Sequence, residues 1–299
     1  MNKLGRFLLF IALVLILVGG GLFVYGYVKG DFEIVQATYL ENTYEVEDSF
    51  SNIDIDVNIS DVKFVYDSTL EKCKVLAKEY ENTKHKTEVK DNTLSISFVD
   101  ERQFFKKWFF NFRGIEITVY LNKNTFDKLV LVNNTGDVDI PSDFTFTNAT
   151  IGLDTGDVNF YASVTDVLKI ETDTGDIKAE NSNLKAMTVA TDTGRLTLKN
   201  FNATEDISIK SSTGKINLEN VVAGGLLNIK ASTGDISLSN VDGNQIKIKT
   251  STGDVKGNVK TAKTFDCDSD TGKVRVPSTS GNLCKIETDT GDIIITVSE

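Results

Sequence analysis

The stretch Leu168-Lys169-Ile170-Glu171-Thr172-Asp173-Thr174-Gly175-Asp176-Ile177-Lys178-Ala179 alternates apolar and polar residues up to a Thr-Gly step and resumes the same alternation beyond it. Every second side chain of a strand lies on one face, so the stretch reads as two short, half-buried strands joined at a tight corner. The step recurs at Gly136, Gly156, Gly175, Gly194, Gly214, Gly234, Gly253, Gly272 and Gly291, at spacings of 19 or 20 residues. Self-similarity at a constant period of this size is the mark of a repeat architecture.

Aligned on the glycine, the copies share apolar columns. Five residues before it stand Leu131, Ile151, Ile170, Val189, Ile209, Ile229, Ile248, Cys267 and Ile286; two residues after it stand Val138, Val158, Ile177, Leu196, Ile216, Ile236, Val255, Val274 and Ile293. Roughly five apolar side chains per copy, at about 1.5 to 3 kcal/mol each, cannot offset about 1 to 2 kcal/mol of backbone entropy per residue. The copies must therefore stack, with equivalent strands about 4.8 Å apart in parallel ladders. The expectation is an all-β parallel β-solenoid (β-helix) of 19–20-residue rungs, about 40 Å long over nine rungs. A type II turn at each corner would give all nine glycines positive φ. Asn181, Asn200, Asn220 and Asn240 stand six residues after their glycines and suit a second corner with stacked amides. The twentieth residue of a longer copy is expected in the connection between rungs, as at Val222 to Gly225.

Upstream the same grammar is looser. Ile53, Ile55, Val57 and Ile59 lead into Ser60-Asp61-Val62-Lys63-Phe64, a copy of the corner with Ser in the Gly position, and Leu94 to Phe98 and Ile115 to Leu121 read as further strands. At the start, Lys3 and Arg6 precede Phe7 to Val28, a run of 22 residues without a charge. That length suits one transmembrane helix, and the basic start places the N-terminus in the cytoplasm. The expected organisation is a cytoplasmic start and anchor at 1–30, degenerate solenoid coils or a β-cap at 31–125 and regular solenoid at 126–299. The protein is then a single-pass cell-membrane protein whose C-terminal domain is extracellular.

The run Ile115-Glu116-Ile117-Thr118-Val119-Tyr120-Leu121, followed by Leu129 to Ile140 and the train of Thr-Gly-Asp-Val/Ile corners, resembles the bacterial "putative adhesin" family of domains of unknown function, which includes LiaG-like proteins of envelope-stress operons. The likeness covers nearly all of residues 35–299, although the family's usual Leu-Pro step is Leu121-Asn122 here. The resemblance implies an envelope-exposed β-helix with no known enzymatic activity and supplies no ligand.

Several chemistries are excluded or discounted. The net charge of -11 argues against nucleic acid as a partner, and 3 Cys with 1 His offer neither a zinc motif nor a disulfide framework. His85, between Lys84 and Lys86, reads as a solvated loop residue. Asp-Thr-Gly, the tripeptide of aspartic proteases, occurs at Asp154, Asp173, Asp192, Asp270 and Asp289, but a column of rung corners has no cleft in which two aspartates share a proton. The acids around the corners read as solvated turn residues in preference to a calcium site, because Arg195, Lys215 and Lys273 interrupt their column. Cys267 and Cys284 fall in columns two residues apart, which disfavours a disulfide. No cofactor, metal or catalytic residue is expected.

Residues 102–113 stand apart from the repeat. Phe104, Phe105, Trp108, Phe109, Phe110 and Phe112 interleave with Lys106, Lys107 and Arg113. This basic, aromatic insertion is either a hydrophobic cap on the solenoid end or the main interaction site, facing anionic membrane or a partner. The functional expectation is a binding or structural scaffold of the cell envelope, adhesin-like, linked to envelope stress through the resemblance, with another envelope protein or a glycan as partner. The alternatives are a self-assembling solenoid polymer, since no cap follows the last corner, and an envelope polysaccharide-processing β-helix.

Overall fold

The structure, a computed structural model, describes residues 3–29, 39–81, 83–100 and 114–298. The chain divides into two units, 1–38 and 39–299.

The first unit is helix α1 (Lys3–Lys29). Among the described residues no helix is long and apolar enough to cross a membrane. The expected transmembrane span is thus not met by the described residues.

The second unit is a β-solenoid, as the repeat requires, with 22 strands among the described residues. They begin with β1 (Tyr39–Val46), β2 (Asn52–Tyr66), β3 (Cys73–Tyr80), β4 (Thr83–Lys90), β5 (Thr93–Asp100), β6 (Ile115–Leu121), β7 (Thr125–Thr135) and β8 (Val138–Ile140), and β9 to β16 fill 145–233. The set ends with β17 (Ile236–Thr252), β18 (Val255–Val259), β19 (Lys263–Thr271), β20 (Val274–Arg275), β21 (Asn282–Thr290) and β22 (Ile293–Val297). Strands before the corner pair in parallel with their equivalents, Leu168 with Met187, then Ile207, Leu227 and Ile246. Strands after the corner do the same, Ile177 with Leu196, then Ile216, Ile236 and Val255. A single rung buries Ile207, Ile209, Ile216, Leu218 and Val221, and this core continues from Val46 to Ile295. Near its start Phe50, Phe126, Phe146 and Phe160 stack at ring separations of 5.8, 5.9 and 6.5 Å.

The corners follow a different rule from the expected type II turn. Eight of the nine glycines have φ between +137° and +155°, far from the roughly +80° of that turn, and Gly272 is not among the positive-φ residues. What all nine share is contact between rungs. A Cβ on Gly156, Gly175, Gly194, Gly214, Gly234 or Gly253 would overlap the carbonyl of the preceding corner glycine, and on Gly136 it would overlap Ser60 O. The Asn corner is as expected: Asn181, Asn200, Asn220 and Asn240 have φ of 65°, 57°, 54° and 55°, and their side-chain amides form a ladder of 2.9, 2.9 and 2.7 Å. The extra residue of the longer rung falls between Ala223 and Leu226, where the register shifts.

Both ends depart from a simple stack. At the carboxyl end the last rung in sequence is not the last in space. β21 pairs with β17 on one side and β19 on the other, and β22 lies between β18 and β20 in the same way. Corner glycines agree, since a Cβ on Gly291 would strike Gly253 O and one on Gly272 would strike Gly291 O. The edge rung is therefore 263–275. Lys263 lies beside the crossover with its side chain 3% exposed; its Nζ pairs with Asp242 at 2.5 Å and donates to Gly243 O at 2.8 Å.

At the amino end β2 is a true rung, set between β7–β8 and a further rung formed by β5 and β6. Antiparallel strands cover that outer rung, with β4 on β5 and with β3 then β1 on β6. The described strands between 39 and 121 thus include both parallel rungs and antiparallel strands that cover them.

Candidate functional site

The aromatic insertion, Phe104, Phe105, Lys106, Lys107, Trp108, Phe109, Phe110, Phe112 and Arg113, lies outside the described residues. Its attachment points do not: 101–113 joins the end of β5 to Gly114 and β6. On the adjoining rung β2 needs only Val57, Asn58 and Ile59 between the residues paired with β5 and those paired with β6. Tyr39 Oη donates to Gly114 O at 3.1 Å, holding one root of the insertion.

Beside these roots lies a polar cluster that the sequence reading missed. The alternation Cys73, Val75, Ala77 of β3 continues inward to Glu79, and that of β4 runs inward through Thr83 and His85. His85 is therefore a buried strand residue and not a solvated loop residue. Its Nδ1 and backbone N–H both donate to Glu79 Oε2 at 2.7 Å, while Nε2 accepts from Ser60 Oγ at 3.0 Å. Asn42 Nδ2 at 2.5 Å and Tyr44 Oη at 2.7 Å donate to Glu79 Oε1. Burial pushes the Glu79 carboxyl up, but the hydrogen bonds from His85, Asn42 and Tyr44 outweigh it and hold the group below its ordinary range. Glu79 in turn raises Tyr44, together with burial, out of the ordinary phenol range.

Ser60, His85 and Glu79 have the connectivity of a hydrolytic relay: hydroxyl, imidazole, carboxylate. Access is what such a relay needs and this one lacks. Ser60 and Glu79 are 0% exposed and His85 is 3% exposed. The Ser60 carbonyl is occupied by Asn133 Nδ2 at 2.7 Å. The cluster satisfies a buried carboxylate while joining β1, β3 and β4 of the cap to the first rung, β2.

The corner acids are likewise spoken for. Asp61, Asp137, Asp157 and Asp176 each accept, through Oδ1, the backbone N–H of the residue after the next corner glycine, at 2.9, 2.8, 2.7 and 2.7 Å. Asp235, Asp254 and Asp292 repeat the contact at 3.2, 2.8 and 2.9 Å. These acids are rung-to-rung acceptors, more than the solvated turn residues expected. No group of three or more His, Cys, Asp or Glu residues able to hold a metal ion occurs among the described residues. Cys267 and Cys284 are free thiols, pushed by burial up to about 11 and about 12.

Comparison with solved structures gives the fold. A "putative adhesin" from Bacteroides fragilis NCTC 9343 is 14% identical, with 87% of this chain and 97% of that one covered at a TM-score of 0.46. A "putative lipid binding protein" from Parabacteroides distasonis ATCC 8503 is 15% identical over 88% and 98% of the two chains, at a TM-score of 0.52. A further "putative adhesin", from Parabacteroides merdae ATCC 43184, is 12% identical over 88% and 98%, at 0.42. No curated protein matches the chain. The family profile described as Toastrack DUF4097 matches residues 50–222 and 202–299. With the stacked Thr-Gly corners and the continuous core between them, this shows that the chain belongs to the Toastrack DUF4097 family.

Proposed function

We propose that the chain is an outward-facing scaffold of the bacterial cell envelope, binding or structural in role and anchored to the membrane by residues 1–30. One observation carries this reading: the acids after the corner glycines, the corner asparagines and the buried cluster are engaged in holding one rung to the next. Carboxylates hold amides of the next rung and amides hold one another, over an apolar core that runs from Val46 to Ile295. What the solenoid offers a partner is the set of outward side chains on its strand faces, together with the insertion at 101–113. Anchoring is supported by the uncharged run Phe7 to Val28. A link to envelope stress rests on the resemblance to LiaG-like proteins. The sealed Ser60–His85–Glu79 relay gives no support to polysaccharide processing. Photocrosslinking from positions 104–112 in intact cells, read by mass spectrometry, tests the reading. It predicts a discrete envelope partner or glycan whose capture is lost on Trp108→Ser with Phe109→Ser while the rod stays folded. Loss of folding would instead make the insertion a cap.

Self-assembly is a second reading, favoured by the edge rung 263–275, where β19 and β20 are each paired on one side only. Sedimentation that grows with concentration supports it, and a constant monomer removes it.

A further inference from the structure

The strand face before the corners changes sign along the rod. Four residues before each glycine stand Glu171, Ala190, Lys210, Lys230, Lys249 and, across the crossover, Glu287. Lys210 lies in register with Lys230, and Lys230 with Lys249, so three lysines stand on successive rungs whose strands are about 4.8 Å apart. Lys247, two residues before Lys249 and in register with Asn228, widens the stripe. The other outward positions along these strands include Ser208, Ser212, Asn228, Ser232 and Ser251, and the acid at their start, Asp206, accepts the Leu226 backbone N–H at 2.8 Å. Acids bound the stripe at its ends. Asp192 accepts from Ser212 Oγ at 3.1 Å, and Glu287 lies 3.6 Å from Lys249 while holding Lys285 at 2.7 Å.

Stacking like charges in register costs stability, and cross-strand acids are the usual remedy. Elsewhere on the same face acids stand beside the lysines within a strand, Lys169 with Glu171 at 2.8 Å and Lys285 with Glu287 at 2.7 Å. Lys210, Lys230 and Lys247 are exposed and, among the described residues, have no ion-pair or hydrogen-bond partner. On a chain of net charge -11, a basic stripe paired only at its Lys249 end and flanked by hydroxyls has the complement of a linear anionic polymer: charges on successive rungs along the rod and donors for polymer oxygens between them.

We propose that Lys210, Lys230, Lys247 and Lys249 form a docking stripe for a linear polyanion lying along the rod axis. The charged groups of the polymer are phosphates, which lysine meets as a point charge. The stripe does not include the insertion at 101–113. It depends on the envelope reading only for where the polymer is met, so binding in vitro can succeed or fail independently of crosslinking at 104–112.

The test uses the purified full chain in non-ionic detergent, titrated with long-chain inorganic polyphosphate in one arm and polygalacturonate in the other. The chain should bind the polyphosphate in preference to the polygalacturonate, more weakly as salt rises, and its melting temperature should rise with the bound polymer. Lys210→Gln with Lys230→Gln and Lys247→Gln should weaken binding about a hundredfold, taking each basic residue near an anionic surface at its usual worth. The same variant without polymer should melt at the same temperature or higher, because repulsion is relieved. Lys178→Gln with Lys199→Gln and Lys256→Gln, which removes equal charge from the strand face after the corners, should bind as the unaltered chain does. Absence of polyphosphate binding overturns the proposal, as do polygalacturonate binding of equal or greater strength and an equal loss in the two triple variants.

Discussion

Replacing Gly214 with Ala tests why the corners are glycine. Gly214 has φ of +143°, and a Cβ there would overlap Gly194 O, with Gly194 C at 2.6 Å and its N at 3.4 Å. These are backbone atoms locked in the parallel ladder, so no side chain can swing aside. Two costs add: positive-φ strain of about 1 to 3 kcal/mol, and overpacking of about 1 to 3 kcal/mol as the rungs are forced apart. The sum, about 2 to 6 kcal/mol, is a large part of the ~5 to 15 kcal/mol that holds a typical domain together. Because each rung contacts only its neighbours, the damage should concentrate at one interface, and urea unfolding should split into two transitions. Gly152→Ala is the internal control, since a Cβ there meets nothing within 4 Å and Gly152 is not a positive-φ residue. It should be neutral or stabilise by up to about 1 kcal/mol. Equal unfolding midpoints for the two variants would refute the stacking explanation.

The other predictions concern the polar groups. Glu79 has a folded pKa below its unfolded value, so its contribution is complete above the unfolded value and disappears as pH falls through the folded one. Glu79→Gln should therefore cost about 2 to 3 kcal/mol at neutral pH by urea unfolding, and the gap from the unaltered chain should close in acid. Asn200→Ala should cost about 2 to 3 kcal/mol by removing two amide-ladder hydrogen bonds and placing Ala at φ of 57°, with Asn200→Gly recovering about 1 kcal/mol. Calcium should leave the melting temperature unchanged, since the corner carboxylates already accept backbone amides; a rise of several degrees would mean that they bind the ion instead.

The solenoid was legible because nine copies of one pattern repeat the same inward columns, which average out the ambiguity of any single strand. His85 and Glu79 were hidden because their residue types are read as solvent-facing. Only the phase of alternation, inward through Val75 and Ala77 to Glu79, marks them, and their partner Ser60 is 25 residues from His85. The order of the last two rungs was not legible for the opposite reason. Each copy presents nearly the same faces, so Cys284 and Ile286 fit against Ile246 and Ile248 as well as Phe265 and Cys267 would. The glycine columns were found but their cause was misjudged, since a single corner reveals turn geometry and not the carbonyl of the rung beside it. The charge reading averaged away both the lysine stripe and the acids that bound it.

The central claim is that this solenoid stands outside the membrane on an N-terminal anchor. It is tested most directly by labelling intact cells with a membrane-impermeant maleimide. Cys73 and Cys284 are buried, and the Cys267 thiol is raised to about 11, so the native background should be low. The account predicts that a chain carrying Ser232→Cys, at an exposed position, is labelled in intact cells, whereas Asn2→Cys is labelled only after the membrane is opened. Protection of Ser232→Cys until permeabilisation would contradict it.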